Sequence, residues 1–528
     1  MPTVKINGVE VEVPEGTNMI EAAAMVGEEI PHYCYHADLT VAGNCRMCLI
    51  DVEEGGRGPD IACNMQARDG LAIRTDTEQV KQMRKSVMEM LLKNHPLDCP
   101  ICDQSGECRL QDYYMDHGQH DSRLADPKVT KRKRMDIGDH IVLDAERCVA
   151  CTRCVRFGDE VTGTGELRLF QRTDHTEIGM FPGERLNHEY QGNLADICPV
   201  GALTNKDFRF EKRVWYLKEA NSVCDGCATG CNISVCYQGS EVFRYMPRRN
   251  PDVNASWICD SGRMRYKRHA ASTRLLAPRV DGSRSSWPDA LAAAVERLAG
   301  KKIGVVLGTQ ATLEENHLAR RLAEERLAGA MIFVLEGNDP GAEESSDELL
   351  IDADKTMNRC GAELVASMSS ATAGGEALKS ALAASEIEAL VVLRDDALGR
   401  LGVEAPPLVV FLGDQANSTS KAANVVLPMA SHVEQPGTTI NRGGRVQLLT
   451  RGPLPVGDAL PGVEAIDRMA QLSGGSLGST EEWAVFESLA QSCSALSGMT
   501  YGALGGQGLP LSLASSEQPD PAPAPPAK

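Results

Sequence analysis

The sequence predicts a multidomain protein in which small α+β modules are followed by a larger α/β domain. Three observations carry this expectation. At 528 residues the chain is longer than a single hydrophobic core organises. Of its 18 cysteines, 16 lie between Cys34 and Cys259, in groups rather than a scatter. Beyond about residue 275 cysteine nearly vanishes, and short all-apolar strands alternate with helical segments, the pattern of a parallel sheet covered by helices.

Composition narrows the chemistry. No run of 18 or more apolar residues exists to span a bilayer. The opening MPTVKINGVEVEVPEG lacks a basic stretch followed by an apolar one, so export is not expected. In a reducing compartment structural disulfides are rare, and grouped cysteines point to metal. The net charge of −19 argues against nucleic acid as a partner. Lys131-Arg132-Lys133-Arg134 is the exception, and it reads as a solvated loop.

Taken in order, Val4 and Ile6, then Val9, Val11 and Val13, alternate about Asn7-Gly8, the dipeptide favoured in a type I′ hairpin turn. Thr17 is placed to cap a helix over 18–26 with Met19, Ile20, Ala23 and Ala24 on its apolar face. A loop with Cys34, Cys45 and Cys48 leads into a strand over 49–52, and a second short strand precedes Cys63. A helix over 79–94 shows Val80, Met83, Val87, Met90 and Leu91 on one face and ends before Pro96. Further on, 233–237 reads as a strand, with Cys236 packed into it as a small hydrophobe. Strands over 303–307, 331–335, 390–393 and 408–412 and a helix over 313–327 build the α/β region. Gly308 follows the first of these strands, but no G-x-G-x-x-G phosphate-binding pattern follows it. The proline-rich tail from Ser515 is expected to be disordered.

The cysteines form four sets. Cys34, Cys45, Cys48 and Cys63 follow a C-x10-C-x2-C-x14-C spacing, and hairpin, helix, cysteine loop and late cysteine together resemble a plant-type ferredoxin domain, whose own spacing is C-x4-C-x2-C. In HPLDCPICDQSGEC, His95 precedes Cys99, Cys102 and Cys108, which have no fourth cysteine of their own, so the histidine reads as their fourth ligand. RCVACTRCVRF supplies Cys148, Cys151 and Cys154, the opening of a bacterial ferredoxin pattern whose expected fourth position is Gly158. The missing cysteine-proline pair stands 44 residues after Cys154, as Cys198-Pro199. Cys224, Cys227 and Cys231 are completed by Cys259. Zinc also takes four cysteines, but zinc ribbons pair two C-x2-C knuckles rather than one triple run and a distant C-P. Arg147, Arg153 and Arg156 flank the third set, either to offset its negative charge or as ordinary exposed arginines.

These segments, with GNLADICPVGALT and RNPDVNASWICDSGR, resemble the large iron–sulfur subunit (the G subunit, or 75 kDa subunit, family) of bacterial NADH:quinone oxidoreductase, respiratory complex I. The resemblance implies one [2Fe-2S] cluster on Cys34, Cys45, Cys48 and Cys63. It implies three [4Fe-4S] clusters, on His95, Cys99, Cys102 and Cys108, on Cys148, Cys151, Cys154 and Cys198, and on Cys224, Cys227, Cys231 and Cys259. The block AANVVLPMASHVEQPGTTINRGGRVQ resembles the molybdopterin-oxidoreductase fold, which that family keeps without molybdopterin. The implied domains are a β-grasp [2Fe-2S] ferredoxin-like domain over 1–78, a [4Fe-4S] domain with one histidine and three cysteine ligands over 79–118 and a [4Fe-4S] ferredoxin-like domain over 119–216. A [4Fe-4S] domain of molybdopterin-oxidoreductase type over 217–274, a truncated α/β domain over 275–514 and the tail over 515–528 follow. The implied role is an electron relay, with the NADH/FMN-binding subunit and other peripheral-arm subunits as partners, the membrane arm reached indirectly, and a peripheral place on the cytoplasmic side of the inner membrane. No substrate chemistry is expected in this chain alone. The alternative is the catalytic subunit of an NAD-linked molybdenum formate dehydrogenase. That reading needs a molybdenum ligand among the 269 residues after Cys259, where Cys360 and Cys493 show no catalytic context. An iron-only hydrogenase would need further grouped cysteines, which are absent from the sequence.

Overall fold

Asn7 and Gly8 both take positive φ, 50° and 90°, the geometry of a type I′ turn. They join the strands Thr3–Ile6 and Val9–Glu12, as expected. This structure, a computed structural model, describes residues 1–53, 58–173, 175–336 and 346–511; the tail over 515–528 lies outside the described residues. The chain divides into two units, Met1–Tyr216 and Leu217–Lys528.

In the first unit the hairpin belongs to a five-stranded sheet. Thr3–Ile6 pairs in parallel with Ala72–Arg74, and Leu49–Val52 and Asp60–Ile61 extend the far edge antiparallel. The helix Met19–Met25 seals one core with Val4, Ile6, Ile50 and Ile73. Its cap is Asn18, not Thr17: the Asn18 side chain accepts from the backbone N–H groups of Ile20 and Glu21. That shift turns the buried face to Met19, Ile20, Ala22 and Ala23 and leaves Ala24 exposed.

The helix Glu78–Asn94 also departs from its expected face. Val80, Arg84 and Met88 are buried, whereas Met83 and Met90 are exposed. The buried polar member is what hides the true face from a hydrophobic pattern; its guanidinium donates to the Leu49 carbonyl at 2.6 Å. A second helix, Arg109–His117, packs against the first. Beyond it a three-stranded antiparallel sheet of Met135–Asp136, Ile141–Leu143 and Leu203–Asn205 carries the helices Arg153–Glu160 and Asn193–Ile197.

The second unit opens on an antiparallel meander, Lys218–Val223, Asn232–Gln238 and Glu241–Pro247, in which Cys236 is fully buried, as expected. An eight-stranded sheet follows. Its parallel body places Val425–Pro428, Leu408–Gly413, Ala389–Leu393, Ile303–Val306, Met331–Val334 and Thr372–Gly374 side by side. The hairpin Arg279–Val280/Ser283–Arg284 adds an antiparallel edge. The parallel, helix-covered sheet expected from the apolar strands is present. Strand order reverses between Ile303–Val306 and Ala389–Leu393, the point at which open α/β sheets leave a crevice beyond the strand ends. Among the described residues no helix is long and apolar enough to cross a membrane.

Candidate metal centres

Each cysteine set sits where a regular element stops. Cys48 leads directly into Leu49–Val52, and Cys63 lies in the turn after Asp60–Ile61. Arg46, at φ 57°, bends the loop between Cys45 and Cys48. The four thiols make one contiguous group: Cys34 interacts with those of Cys45 and Cys63, and Cys48 with that of Cys63. Thiol donors from Cys45 and Cys63 hold Cys34 well below the usual thiol range, and the Cys63 thiol does the same for Cys48. Cys45 and Cys63, as the donors, are pushed up. A metal bound here would need all four as thiolates, so the two raised thiols would release their protons on binding.

His95 ends the helix Glu78–Asn94 in extended conformation, and the turn Cys99–Ile101 follows. Its ring Nδ1 is buried without a hydrogen-bond partner. Burial, with Lys128 and Arg147 adding, lowers its pKa to about 4, so the imidazole is neutral with a lone pair to offer. Burial also lifts Cys108 to about 11 and raises Cys102, against the pull of Arg147. Cys99 is exposed.

The third set closes on itself across the 44-residue gap. Cys148, Cys151, Cys154 and Cys198 line one apolar cavity with Leu143, Ile178, Val200 and Ala202. Burial pushes Cys148 up to about 12 and Cys151 to about 11, and raises Cys154 and Cys198. Ala150 and Thr152 both take positive φ, 50° and 65°, so the C-x2-C-x2-C run is wound tightly.

In the second unit the loop between the first two meander strands carries Cys224, Cys227 and Cys231 and is tied by Cys224 N–H to Cys231 C=O at 2.8 Å. Cys259 caps the helix Asp260–Met264, its sulfur accepting from Gly262 N–H at 3.3 Å. A Cβ at Gly262 would lie 3.1 Å from the sulfurs of both Cys224 and Cys259 and so would crowd both. All four cysteines open on a cavity of about 550 Å³ that reaches Thr309, Asp395 and Asp414 at the C-terminal ends of the parallel strands. Burial opposes the charge on Asp225, beside Cys224, but Arg265 at 2.6 Å and Arg268 at 3.1 Å hold its carboxyl well below the usual range.

The structure brings the cysteines of the first, third and fourth sets together, and Cys99, Cys102 and Cys108 act on one another. Among the described residues no three His, Cys, Asp or Glu side chains converge on one point as a lone metal ion requires. The third and fourth sets instead surround a cavity. The all-sulfur third set in apolar walls, and a buried imidazole with a free Nδ1 at the head of the Cys99/Cys102/Cys108 loop, fit iron–sulfur groups.

Of the two readings of the arginines, charge offset holds for Arg153 and Arg156, which act on Cys151, and ordinary exposure does not. None of the three is exposed. Arg156 donates to the carbonyls of Cys34 at 2.5 Å and Cys151 at 3.4 Å, and Arg153 to those of Ile197 at 3.1 Å and Tyr35. These two fasten the first set to the third. Arg147 turns instead toward the second set, pairing with Asp98. The basic run is a loop with Arg132, Lys133 and Arg134 exposed, as expected, and its charges pair at the surface, Arg132 with Glu177 and Lys133 with Asp98 and Glu146. Second and third sets also meet through the backbone N–H of Arg109, which donates to Pro199 C=O at 3.1 Å. Tyr33, Met47, Met88, Leu110, Val200 and Ala202 form one core into which cysteines of all three sets pack. Most of these contacts were invisible in the sequence because they join residues far apart along the chain.

Four family models match the chain: a 2Fe-2S iron-sulfur cluster binding domain over residues 1–78, the NADH-ubiquinone oxidoreductase-G iron-sulfur binding region over 84–123, the NADH-quinone oxidoreductase subunit 3 ferredoxin-like domain over 138–204, and the NADH-ubiquinone oxidoreductase NDSU1/NuoG-like 4Fe-4S domain over 217–267. With the geometry above, they define an iron–sulfur protein of ferredoxin-like domains. Among curated proteins it is similar to the G subunit of NADH-quinone oxidoreductase from Streptomyces coelicolor (38% identity, 62% of this chain, 40% of that one) and from Rickettsia bellii (40%, 60% and 47%). The mitochondrial NADH dehydrogenase [ubiquinone] iron-sulfur protein 1 of Solanum tuberosum is 40% identical over 63% of this chain and 46% of its own. A solved chain of NAD+-reducing [NiFe]-hydrogenase in the H2-reduced state aligns at 28% identity over 40% of this chain and 91% of its own, with a TM-score of 0.37. The chain is a homologue of the NADH-quinone oxidoreductase G subunit and of the 75 kDa subunit, and it spans about half the length of the curated relatives it matches.

Proposed function

We propose that the chain is an electron-relay subunit in the peripheral arm of an NADH:quinone oxidoreductase, placed between an NADH/FMN-binding subunit and the quinone site. It would hold one [2Fe-2S] cluster on Cys34, Cys45, Cys48 and Cys63. Three [4Fe-4S] clusters would be held by His95, Cys99, Cys102 and Cys108, by Cys148, Cys151, Cys154 and Cys198, and by Cys224, Cys227, Cys231 and Cys259. Bound there, such groups supply reversible one-electron transfer. The observation that carries this reading is the shared core of the first unit, where the loops of the third set touch those of both the first and the second. The relay order we propose is first, third, second, which differs from the order in sequence. What the protein itself contributes is packing: Tyr33, Met88 and Val200 keep water from the space between sets, and Arg153 and Arg156 hold the loops in register. We read the eight-stranded domain as a molybdopterin-oxidoreductase-like fold without its cofactor. We place the subunit peripherally, on the cytoplasmic side of the inner membrane.

The names of the relatives do not favour the formate dehydrogenase reading. The test is the chain purified with its neighbours, assayed for metals and reduced with NADH. Iron without molybdenum, and electron-resonance signals that appear on NADH addition, are expected. Cys198→Ser should then remove one [4Fe-4S] signal and stop quinone reduction while flavin reduction survives. Quinone reduction at the parent rate in that variant overturns the relay.

A further inference from the structure

The guanidinium of Arg147 is buried, the residue being 4% exposed, and only part of its donor capacity is used. Nε and Nη2 donate to Asp98 Oδ2 at 3.2 and 2.9 Å, and Nε lies 3.4 Å from Asp144. Nη1 is buried with no hydrogen-bond partner. A buried guanidinium N–H without an acceptor is costly enough that native proteins rarely leave one. Its surroundings identify what is missing. Asp98 immediately precedes Cys99, so Arg147 grips the turn that presents the second set. A Cβ built at Gly201 would lie 2.3 Å from Cys102 Sγ and 3.8 Å from Arg147 Cδ, which places the arginine stem and the Cys102 sulfur beside the same glycine. Arg147 is also the foremost charge acting on the Cys102 thiol.

We propose that Arg147, although it adjoins Cys148 in sequence, is a positioning and potential-setting residue for the His95/Cys99/Cys102/Cys108 set: two donors hold the Asp98–Cys99 turn, and Nη1 donates to a sulfur of the group bound there. Gly201 makes the approach possible, because any side chain at that position displaces Cys102. The positive charge and the hydrogen bond both favour the reduced, more negative state and so raise that group's potential relative to an undonated one. The inference rests on the cluster assignment proposed above.

The test is a redox titration of the full chain, followed by electron resonance, with the second-set signal identified by its loss in Cys102→Ser. In Arg147→Gln that signal should need a lower potential. At the poise that half-reduces it in the parent, its reduced-to-oxidised ratio should fall about tenfold, equivalent to about 59 mV for one electron. The other signals, that of the Cys148/Cys151/Cys154/Cys198 set included, should stay in place. Arg147→Lys, which keeps the charge and loses the planar donors, should shift the second-set signal the same way by less. Asp98→Asn, which removes a carboxylate and keeps the guanidinium, should shift it upward. A shift confined to the third-set signal, no shift in Arg147→Gln, or shifts of the same sign in Arg147→Gln and Asp98→Asn would each overturn the proposal, the last by marking a merely structural ion pair. If Arg147→Gln fails to assemble its cluster, Arg147→Lys decides, and an unmoved potential there also overturns it. Absence of any second-set signal from the unmodified protein overturns the cluster assignment itself, and this inference with it.

Discussion

His95 is a neutral imidazole whose Nδ1 finds no partner, four residues before the turn Cys99–Ile101. That nitrogen is free to ligate a metal. We expect His95→Ala to leave one iron of its cluster without a protein ligand, so that the second-set signal is lost or decays on standing. His95→Cys should keep the cluster, now one charge more negative and at a lower potential. Iron analysis with electron resonance checks both, and an unchanged spectrum in His95→Ala would make the histidine structural. His95 was legible in the sequence because three cysteines without a fourth follow it. Arg147 was not, because its neighbour in sequence is Cys148 while its partner in space is Asp98. Spacing along a loop reports which ligands share a group, but not which way a long side chain turns.

The helix Leu313–Glu325 shows a different use of burial. Thr312 and Glu315 close it with a capping box, and its face toward the sheet carries Leu313, Leu318 and Leu322. Two ionisable groups are buried on it with opposite consequences. Burial raises Glu314 to about 7, although it accepts from Thr438 N–H and from the hydroxyls of Thr438 and Tyr501. Burial, with Arg320 and Arg321 adding, lowers His317 to about 3, and neither ring nitrogen has a hydrogen-bond partner. For the acid, the folded pKa is raised, so its contribution is fully present below about 4.5 and is lost as pH rises through about 7. For the histidine, the folded pKa is depressed, so its contribution is present above about 6.5 and is lost as pH falls toward about 3. Between about 4.5 and 6.5 the two slopes oppose each other. Glu314→Gln should remove one of them, stabilising the second unit at pH 8 by about 3 kcal/mol and leaving stability that rises with pH up to about 6.5. Denaturant melts across pH check this, and equal gains at pH 4.5 and pH 8 would show that Glu314 does not titrate in this way. This helix was legible in outline because its apolar period is regular. The cap at Asn18 and the buried face of Glu78–Asn94 were not, since a side-chain cap can shift by one residue and a buried Arg84 breaks the hydrophobic pattern.

At the scale of the molecule, the cysteine grouping and the change in composition made the main architecture readable from the chain alone. The parallel pairing of the α/β sheet followed from strands with no polar face. Its strand order did not, because the return from Thr372–Gly374 to Ala389–Leu393 depends on packing far along the chain. Nor did the cavity of about 550 Å³ beyond those strand ends, on which the fourth cysteine set opens. This cavity bears on what the fourth set is for. The set joins the first two meander strands to the helix Asp260–Met264, and a Cβ at Gly262 would meet two of its sulfurs, so the metal site and the local backbone are one structure. A group bound there contributes folding free energy to the second unit, because the unfolded chain holds no preformed site. In the relay proposed above the route lies in the first unit, which makes the fourth group a structural one. Replacing Cys227 and Cys231 together with serine should therefore remove about four irons per chain and lower the melting temperature of the second unit. The signals of the three first-unit sets should persist, and NADH:quinone turnover normalised to bound flavin should stay near the parent value. If turnover per flavin instead falls to background while assembly and melting are unchanged, the fourth group conducts, and the route must pass through the second unit.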